Sequence, residues 1–260
     1  MHRISIGCSG WNYGHWRDGV FYPSRCPAGR WLPFYAEHFD SVEVNATFYR
    51  LPRTSAVARW VEETPDDFVL AVKVSRYLTH VKRLRDVPEH LPRLLERIEP
   101  LLGSPKLGPL LWQLPPNFRR DLDRLAATLE RLPRGLRHAF EFRHPSWFCD
   151  DLYTLLREHD VALVIGDRRE VHDFQAHELT AGFTYVRLHA GTRGARGNYS
   201  PAELDEWAGR LRAWSGEVDV FAYFNNDWEG FAPANALGLR ERLGLSTPPP
   251  ARARGRARPT

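Results

Sequence analysis

The sequence contains few cysteines and no long apolar run. Among its 260 residues are three cysteines, Cys8, Cys26 and Cys149, which lie far apart and form no CxxC or Cys/His ligand spacing. This pattern excludes a disulfide framework and argues against a zinc site, so we expect three reduced thiols in a cytoplasmic protein. We see neither a signal peptide nor a membrane-spanning segment, and we therefore expect no membrane partner.

An excess of charge of one sign is confined to the C-terminus. Lys and Arg number 36 and Asp and Glu number 32, which gives a net charge of +4. The last ten residues contain four arginines and no acid, so residues 1–250 carry no net charge. From residue 246 the composition turns to Pro, Ala, Arg and Gly, which predicts a disordered tail over 246–260 after one domain over 1–245. We expect nucleic-acid binding, if it occurs, to depend on this basic tail.

Strand and helix patterns alternate over residues 3–243. Eight strand–helix units can be placed, although the unit at 168–181 is too polar for a well-defined helix. Eight alternations in about 250 residues predict an α/β protein with a single (β/α)8 TIM-type barrel, whose sites lie at the C-terminal ends of the strands. An open doubly wound sheet is the alternative. Neither GxGxxG nor GxxxxGK[ST] follows the first strand, which weakens the nucleotide-binding form of that alternative.

Five of the predicted strands carry polar residues at alternate positions. In the clearest case Phe140 and Phe142 alternate with Glu141 and Arg143. Alternate side chains of a strand share a face, and burying charge for packing alone is costly. The pattern therefore predicts a functional polar layer inside the barrel. Its predicted members are Glu43, Asn45, Lys73, Gln113, Glu141, Arg143, Asp167, Arg187, His189 and Asn225.

Several short motifs resemble those of one protein family. They are GCSGW at 7–11, FYP at 21–23, VEVN at 42–45 with TFY at 47–49, KVS at 73–75 with TH at 79–80, QLPP at 113–116, EFR at 141–143 with Trp147, RLH at 187–189 and FNN at 224–226. As an ordered set over about residues 4–243 they resemble the YecE-like family, domain of unknown function 72. The resemblance implies a TIM-type barrel and supplies no reaction. Ala190 departs from the pattern, since relatives commonly have glycine after the histidine.

The polar layer has nearly balanced charge and allows three interpretations. The first is an enzyme of hydrolase or lyase type that uses acid/base chemistry on a small phosphate- or carboxylate-bearing substrate. The second is a non-catalytic barrel that binds a ligand or nucleic acid. The third is a salt-bridge layer that only closes the barrel, which is disfavoured because buried ion pairs stabilise less well than apolar packing.

We favour the enzyme and assign residues to it by their chemistry. The predicted catalytic residues are Glu141, Glu43 and His189, which can transfer protons. The predicted substrate-binding residues are Lys73, Arg143, Arg187, Asn45, Gln113, Asn225, Tyr49 and Trp11. Glu43 and Glu141 come from opposite sides of the barrel, so a glycosidase pair is conceivable.

The charges of the polar layer argue against a metal site there. Glu43, Glu141, Asp167 and His189 are suitable metal ligands, but the interleaved cations would repel a dication, so we predict no metal. No cofactor is evident from the sequence. The Gly- and Arg-rich loop at 191–199 is expected to act as a mobile lid.

We also expect the mouth of the barrel to be a solvated pocket, in which the substitution Glu141→Gln changes the stability of the protein little.

Overall fold

The structure is a computed structural model that describes residues 2–167 and 176–246. In these ranges eight strands alternate with helices. The strands are β1 Ile4–Cys8, β2 Ser41–Val44, β3 Val69–Lys73, β4 Leu107–Gln113, β5 His138–Glu141, β6 Ala162–Asp167, β7 Phe183–Leu188 and β8 Asp219–Phe224. The α-helices are α1 Trp31–Ala36, α2 Ala46–Tyr49, α3 Thr54–Glu62, α4 Val87–Arg97, α5 Glu99–Leu102, α6 Leu122–Leu129, α7 Asp150–Glu158, α8 Pro201–Trp214 and α9 Phe231–Arg242.

The predicted tail and the weakest strand–helix unit fall mainly on parts of the chain that the structure does not describe. The tail at 247–260 and residues 168–175 of that unit lie outside the described ranges. The division into a domain and a tail therefore stays a prediction. No helix in the described ranges is both long enough and apolar enough to cross a membrane.

The eight strands form one parallel sheet whose order follows the chain. From β2 to β8 each strand pairs with the next, and β8 pairs with β1. Because β1 also lies against β2, the sheet curls into a nearly closed barrel with its helices outside. The predicted TIM-type barrel is confirmed. The doubly wound alternative is excluded, because the strand order of such a sheet reverses part-way, whereas the order here follows the chain throughout.

Side chains join β1 to β2 where the barrel closes. The Tyr35 hydroxyl accepts a hydrogen bond from the Cys8 N–H (2.7 Å) and donates one to the Ser41 carbonyl (3.0 Å). It thereby satisfies backbone groups that a ladder would otherwise pair. A Cβ at Gly7 would lie 1.9 Å from the Ser41 carbonyl oxygen, so the close approach of the two strands requires glycine there.

Apolar side chains pack on both faces of the sheet. A large cluster fills the space between the sheet and the helices, and a smaller one fills the barrel interior. The interior cluster consists of Val69, Ala71, Leu111, Ala139, Ala162, Val164, Phe183, Tyr185, Phe221 and Tyr223. These residues show which alternate positions of each strand point into the barrel. Polar residues near the C-terminal ends of the strands occupy the same alternate positions, so their side chains also point inward.

Asp167 does not belong to this inner face. In β6 the inward residues are Ala162 and Val164, so Gly166 continues the interior. The Asp167 carboxylate instead accepts a hydrogen bond from the Trp207 indole on α8 at 3.0 Å. Our placement of Asp167 in the polar layer is therefore wrong. The residues that precede it in β6 are apolar on both faces, so the sequence offers no alternation from which its direction could be read.

Candidate functional site

A buried ion cluster centred on Arg187 lies inside the barrel, near the C-terminal ends of the strands. The Arg187 guanidinium donates two hydrogen bonds to Glu43, from Nε to Oε2 (2.9 Å) and from Nη2 to Oε1 (2.8 Å), and one from Nη1 to Glu141 Oε2 (2.5 Å). The Tyr185 hydroxyl also donates to Glu43, at 2.7 Å. The side chains of Arg187, Glu43 and Glu141 are 1%, 0% and 3% exposed, so water does not screen these pairs.

Both carboxylates of this cluster are held in the ionised form. Burial alone would raise their pKa values, but attraction to Arg187 lowers the pKa of Glu43. Attraction to Arg143 and Arg187 lowers the pKa of Glu141 well below its usual range. Arg143 donates from Nε to Glu141 Oε1 at 2.8 Å and is 18% exposed. Two carboxylates thus face two guanidinium groups, and only Arg143 reaches towards solvent.

His189 joins this cluster as a neutral imidazole. Its Nδ1 accepts a hydrogen bond from the Asn225 amide at 3.0 Å, which leaves the proton on Nε2. That nitrogen lies 3.5 Å from Glu141 Oε1. Burial is the largest cause that lowers the pKa of His189, to about 4, although Glu141 raises it. At neutral pH the ring can therefore donate through Nε2 without carrying charge.

A cavity of about 450 Å³ lies at the barrel mouth. Its lining, as far as the structure describes it, is polar and rich in cations and contains no carboxylate. The lining residues are Tyr13, Asn45, Phe48, Tyr49, Lys73, Arg76, His80, Gln113, Arg143 and Asn225. Of the three cations, Arg143 pairs with Glu141, whereas Lys73 and Arg76 form no ion pair with any residue that the structure describes. The mouth is therefore a positively charged recess.

Among these cations, Lys73 is buried and has a lowered pKa. Its side chain is 6% exposed, and its Nζ lies 4.2 Å from the centroid of the Phe48 ring. Burial is the largest cause that lowers the pKa of Lys73, to about 8, and Arg187 adds to it while Glu43 and Glu141 oppose it. An amine with such a pKa can both bind an anion and exchange a proton near neutral pH.

Unpartnered polar atoms are also found at this end of the barrel. Ser9 Oγ, Asn45 Oδ1 and His189 Nε2 are buried and have no hydrogen-bond partner in the described ranges. They come from the C-terminal ends of β1, β2 and β7. Because buried polar groups are nearly always hydrogen-bonded, these atoms are the ones that a ligand or a water molecule would satisfy.

The structure separates the predicted site residues into three groups. The cavity at the mouth is lined by Asn45, Tyr49, Lys73, Gln113, Arg143 and Asn225. The ion cluster beneath it contains Glu43, Glu141, Arg187 and His189. Trp11 lies apart, in a neighbouring cleft. The described residues contain no group of three or more His, Cys, Asp or Glu that could hold a metal ion.

Sequence reasoning missed four residues that line the cavity, namely Tyr13, Phe48, Arg76 and His80. Arg76 and His80 follow β3 directly, in and next to the turn Tyr77–Val81, and their place after a barrel strand was the available signal. His80 is held by Thr79 Oγ1 at 2.9 Å. Burial, followed by repulsion from Lys73, lowers the pKa of His80 to about 4, so it lines the cavity as a neutral ring.

The loop after β7 is hydrogen-bonded to α8 at its first residues. Oε1 of Glu203 accepts hydrogen bonds from the backbone N–H groups of Thr192 (2.6 Å) and Arg193 (3.1 Å). Oε2 closes a capping box with Ser200. Although burial opposes it, the N–H groups of Ser200, Thr192 and Arg193 lower the pKa of Glu203 to about 2. These bonds anchor the start of the loop, and its role as a mobile lid stays a prediction.

Comparison with known proteins places this barrel in a family. The family model described as "Protein of unknown function DUF72" matches residues 5–257. The chain belongs to the DUF72 family. The resemblance seen in the sequence motifs is thereby confirmed.

Two curated relatives and one solved structure illustrate the similarity. The chain is 35% identical to YecE of Escherichia coli K12 over 181 residues, which are 67% of this chain and 62% of that protein. It is 26% identical to YunF of Bacillus subtilis over 278 residues, which cover 93% of this chain and 95% of YunF. The crystal structure of a DUF72 protein from Thermotoga maritima superposes with a TM-score of 0.82 at 28% identity, and covers 94% of this chain and 100% of that one.

Proposed function

We propose that this DUF72 barrel is a cytoplasmic enzyme that binds a small phosphate- or carboxylate-bearing molecule at its mouth and transforms it by acid/base chemistry. One observation supports this most directly. The described lining of the cavity at the C-terminal ends of the strands contains three cations and no carboxylate, and one of these cations, Lys73, has a pKa lowered to about 8. Catalytic sites of TIM barrels lie at this end.

The cations and amides would share the work of binding. Lys73, Arg76 and Arg143 would neutralise the anionic group, since charge-assisted hydrogen bonds are the strongest contacts available to it. The amides of Asn45, Gln113 and Asn225 would orient the remainder of the molecule. A volume of about 450 Å³ suits a ligand of metabolite size.

Proton transfer would fall to Lys73 and to the pair formed by Glu141 and His189. At rest Glu141 is ionised and bonded to Arg187 and Arg143. An anion bound to Arg143 would compete for that guanidinium and raise the pKa of Glu141, which would make its carboxylate a better proton acceptor. Glu43 is held by two bonds from Arg187 and one from Tyr185, so its contacts favour a positioning role over proton transfer.

Anion binding can be tested by the shift in melting temperature with phosphate, sulfate and acetate at constant ionic strength. A ligand at 100 times its Kd stabilises a protein by about 2.7 kcal/mol, or about 5–10 °C for a domain near this size. We expect Lys73→Met and Arg143→Met to lose this shift. Lys82→Met is the control, because Lys82 lies outside the cavity and pairs with Asp86.

The result can contradict the proposal in two ways. A wild-type protein that gains no stability from any of the three anions at concentrations up to about 100 times a millimolar Kd would exclude an anion site. A shift that survives in both Lys73→Met and Arg143→Met would place the anion elsewhere. Anion binding without turnover of any phosphate ester or carboxylic acid would favour the alternative, a non-catalytic ligand-binding barrel.

A further inference from the structure

A second cavity, of about 570 Å³, lies beside the mouth, and its lining differs in kind. Aromatic and small apolar side chains dominate it, and we call it the aromatic cleft. Its main wall residues are Trp11, Tyr13, Tyr49, Trp60, Ala46 and Ala56. The only charged residues in its described lining, Arg59 and Glu63, pair with each other at 2.8 Å. The cleft therefore offers apolar surface without a free charge.

The aromatic cleft and the cation-lined cavity meet. Tyr13, Asn45 and Tyr49 line both of them. Tyr49 is 80% exposed, so most of its ring is open to contact with a ligand. Asn45 contributes its buried and unpartnered Oδ1 at this junction. A molecule longer than one cavity could therefore occupy both and cover Tyr49.

Helix α3 shows how the chain builds the cleft. Ala56, Arg59, Trp60 and Glu63 follow the spacing i, i+3, i+4 and i+7, so they share one helix face, which turns to the cleft. The Trp11 and Trp60 rings lie 5.5 Å apart at 84°, which forms a corner between two aromatic surfaces. Small side chains at Ala46 and Ala56 leave the space in front of that corner open.

We propose that the ligand of this protein carries a flat aromatic ring attached to its anionic group, and that the aromatic cleft binds the ring. This inference rests on the proposed anion site and specifies the substrate class for it. Rings stack favourably on aromatic side chains, whereas a saturated chain gains only from burial. Continuity with a cationic recess explains why the cleft needs no charge of its own.

The test compares four phosphate monoesters that share a charge and differ in the attached group. Methyl phosphate probes the cation-lined cavity, cyclohexyl phosphate adds apolar bulk, and phenyl and 1-naphthyl phosphate add flat rings; acetate and benzoate form a parallel carboxylate pair. Affinities are measured by isothermal titration calorimetry, with competition for the weak binders. We expect 1-naphthyl phosphate to bind at least tenfold more tightly than methyl phosphate, and cyclohexyl phosphate to gain less.

Two variants assign the gain to the cleft. Ala56→Phe fills it from a helix position that does not line the mouth cavity, and Tyr49→Ala removes the exposed ring at the junction. Ala56→Phe should abolish the advantage of 1-naphthyl over methyl phosphate and leave the Kd of methyl phosphate unchanged. Tyr49→Ala, which also alters the mouth cavity, should lower the ratio of the two affinities. Ser55→Phe is the control, because Ser55 is exposed on the same helix and lines neither cavity.

The outcomes distinguish the two proposals. If methyl phosphate or acetate binds at the mouth but a ring adds less than threefold, or if Ala56→Phe leaves the ring's advantage intact, the inference fails and the anion site stands. If none of the phosphates or carboxylates binds, the anion site fails, and the ring proposal fails with it.

Discussion

Replacing Lys73 by methionine should make the unliganded protein more stable at neutral pH. In the folded state the pKa of Lys73 falls from its ordinary 10.5 to about 8, with burial as the largest cause. Each tenfold change in a proton dissociation constant corresponds to about 1.4 kcal/mol. The charged amine at pH 7 therefore costs about 3 kcal/mol of folding free energy, or about 6–12 °C in melting temperature for a domain near this size.

Methionine removes the charge and keeps most of the packing. The Lys73 chain lies over the Phe48 ring, and a thioether makes favourable contacts with an aromatic ring of that kind. The gain should therefore approach the full cost of the charge. The same substitution should abolish anion binding, which is the trade-off expected when a residue is kept for function and not for stability.

The pH dependence of this gain has a definite sign. The folded protein releases the Lys73 proton near pH 8, and the unfolded chain keeps it until about pH 10.5. In that interval the unfolded state binds more protons, so wild-type stability rises with pH relative to the variant. The advantage of Lys73→Met should be complete below about pH 7 and should disappear as the pH approaches 10.5.

Urea denaturation followed by tryptophan fluorescence at pH 6.5, 8.0 and 9.5 measures this difference, and other titrating groups cancel between the two proteins. The control is Lys82→Met, which removes a partly exposed lysine that pairs with Asp86, and for which we expect a small loss of stability. A Lys73→Met variant less stable than wild type at pH 6.5, or a difference that is the same at pH 6.5 and 9.5, would refute the reasoning.

Two further predictions concern carboxylates. Glu141→Gln should destabilise the protein by about 3–5 kcal/mol in urea denaturation at pH 7, because Arg187 and Arg143 lose a buried partner; this difference should be lost as the pH falls from 4.5 through the lowered pKa of Glu141. An unchanged stability would instead support the solvated mouth that the sequence led us to expect. Glu203→Gln should speed amide hydrogen exchange at Thr192 and Arg193, whose N–H groups it holds, whereas exchange in β7 should not change; equal protection of these two amides in the variant would contradict the anchoring role.

The sequence predicted the barrel because each strand–helix unit is marked locally. Turn residues and the period of the apolar pattern identify strands and helices one at a time, and eight such units leave few arrangements. What remained hidden is how the barrel closes. Tyr35 bridges Cys8 and Ser41 across β1 and β2, and nothing in a helical tyrosine indicates such a contact in advance.

The polar layer was predictable wherever polar and apolar residues alternate. Glu43, Lys73, Glu141 and Arg187 all face inward, as the period of two required. The rule failed at Asp167, which follows an entirely apolar strand. How deeply each polar side chain is buried was not predictable either, because it depends on how far a long side chain reaches across the barrel. Arg187 on β7 bonds to the carboxylates of Glu43 on β2 and Glu141 on β5, and all three lie buried below the cavity.

The two ends of the barrel differ in a way that stability alone does not explain. At the N-terminal end Phe183 and Phe221 pack inside, and the Arg137 guanidinium covers both rings while it pairs with Asp219 at 2.9 Å. At the C-terminal end a buried lysine has a lowered pKa, and the Nε2 of His189 has no hydrogen-bond partner among the described residues. An apolar plug like that of the N-terminal end would be more stable at the mouth. Since proteins retain local costs of this kind mainly where function requires them, the buried Lys73 and His189 support the proposal that the mouth binds and transforms a ligand.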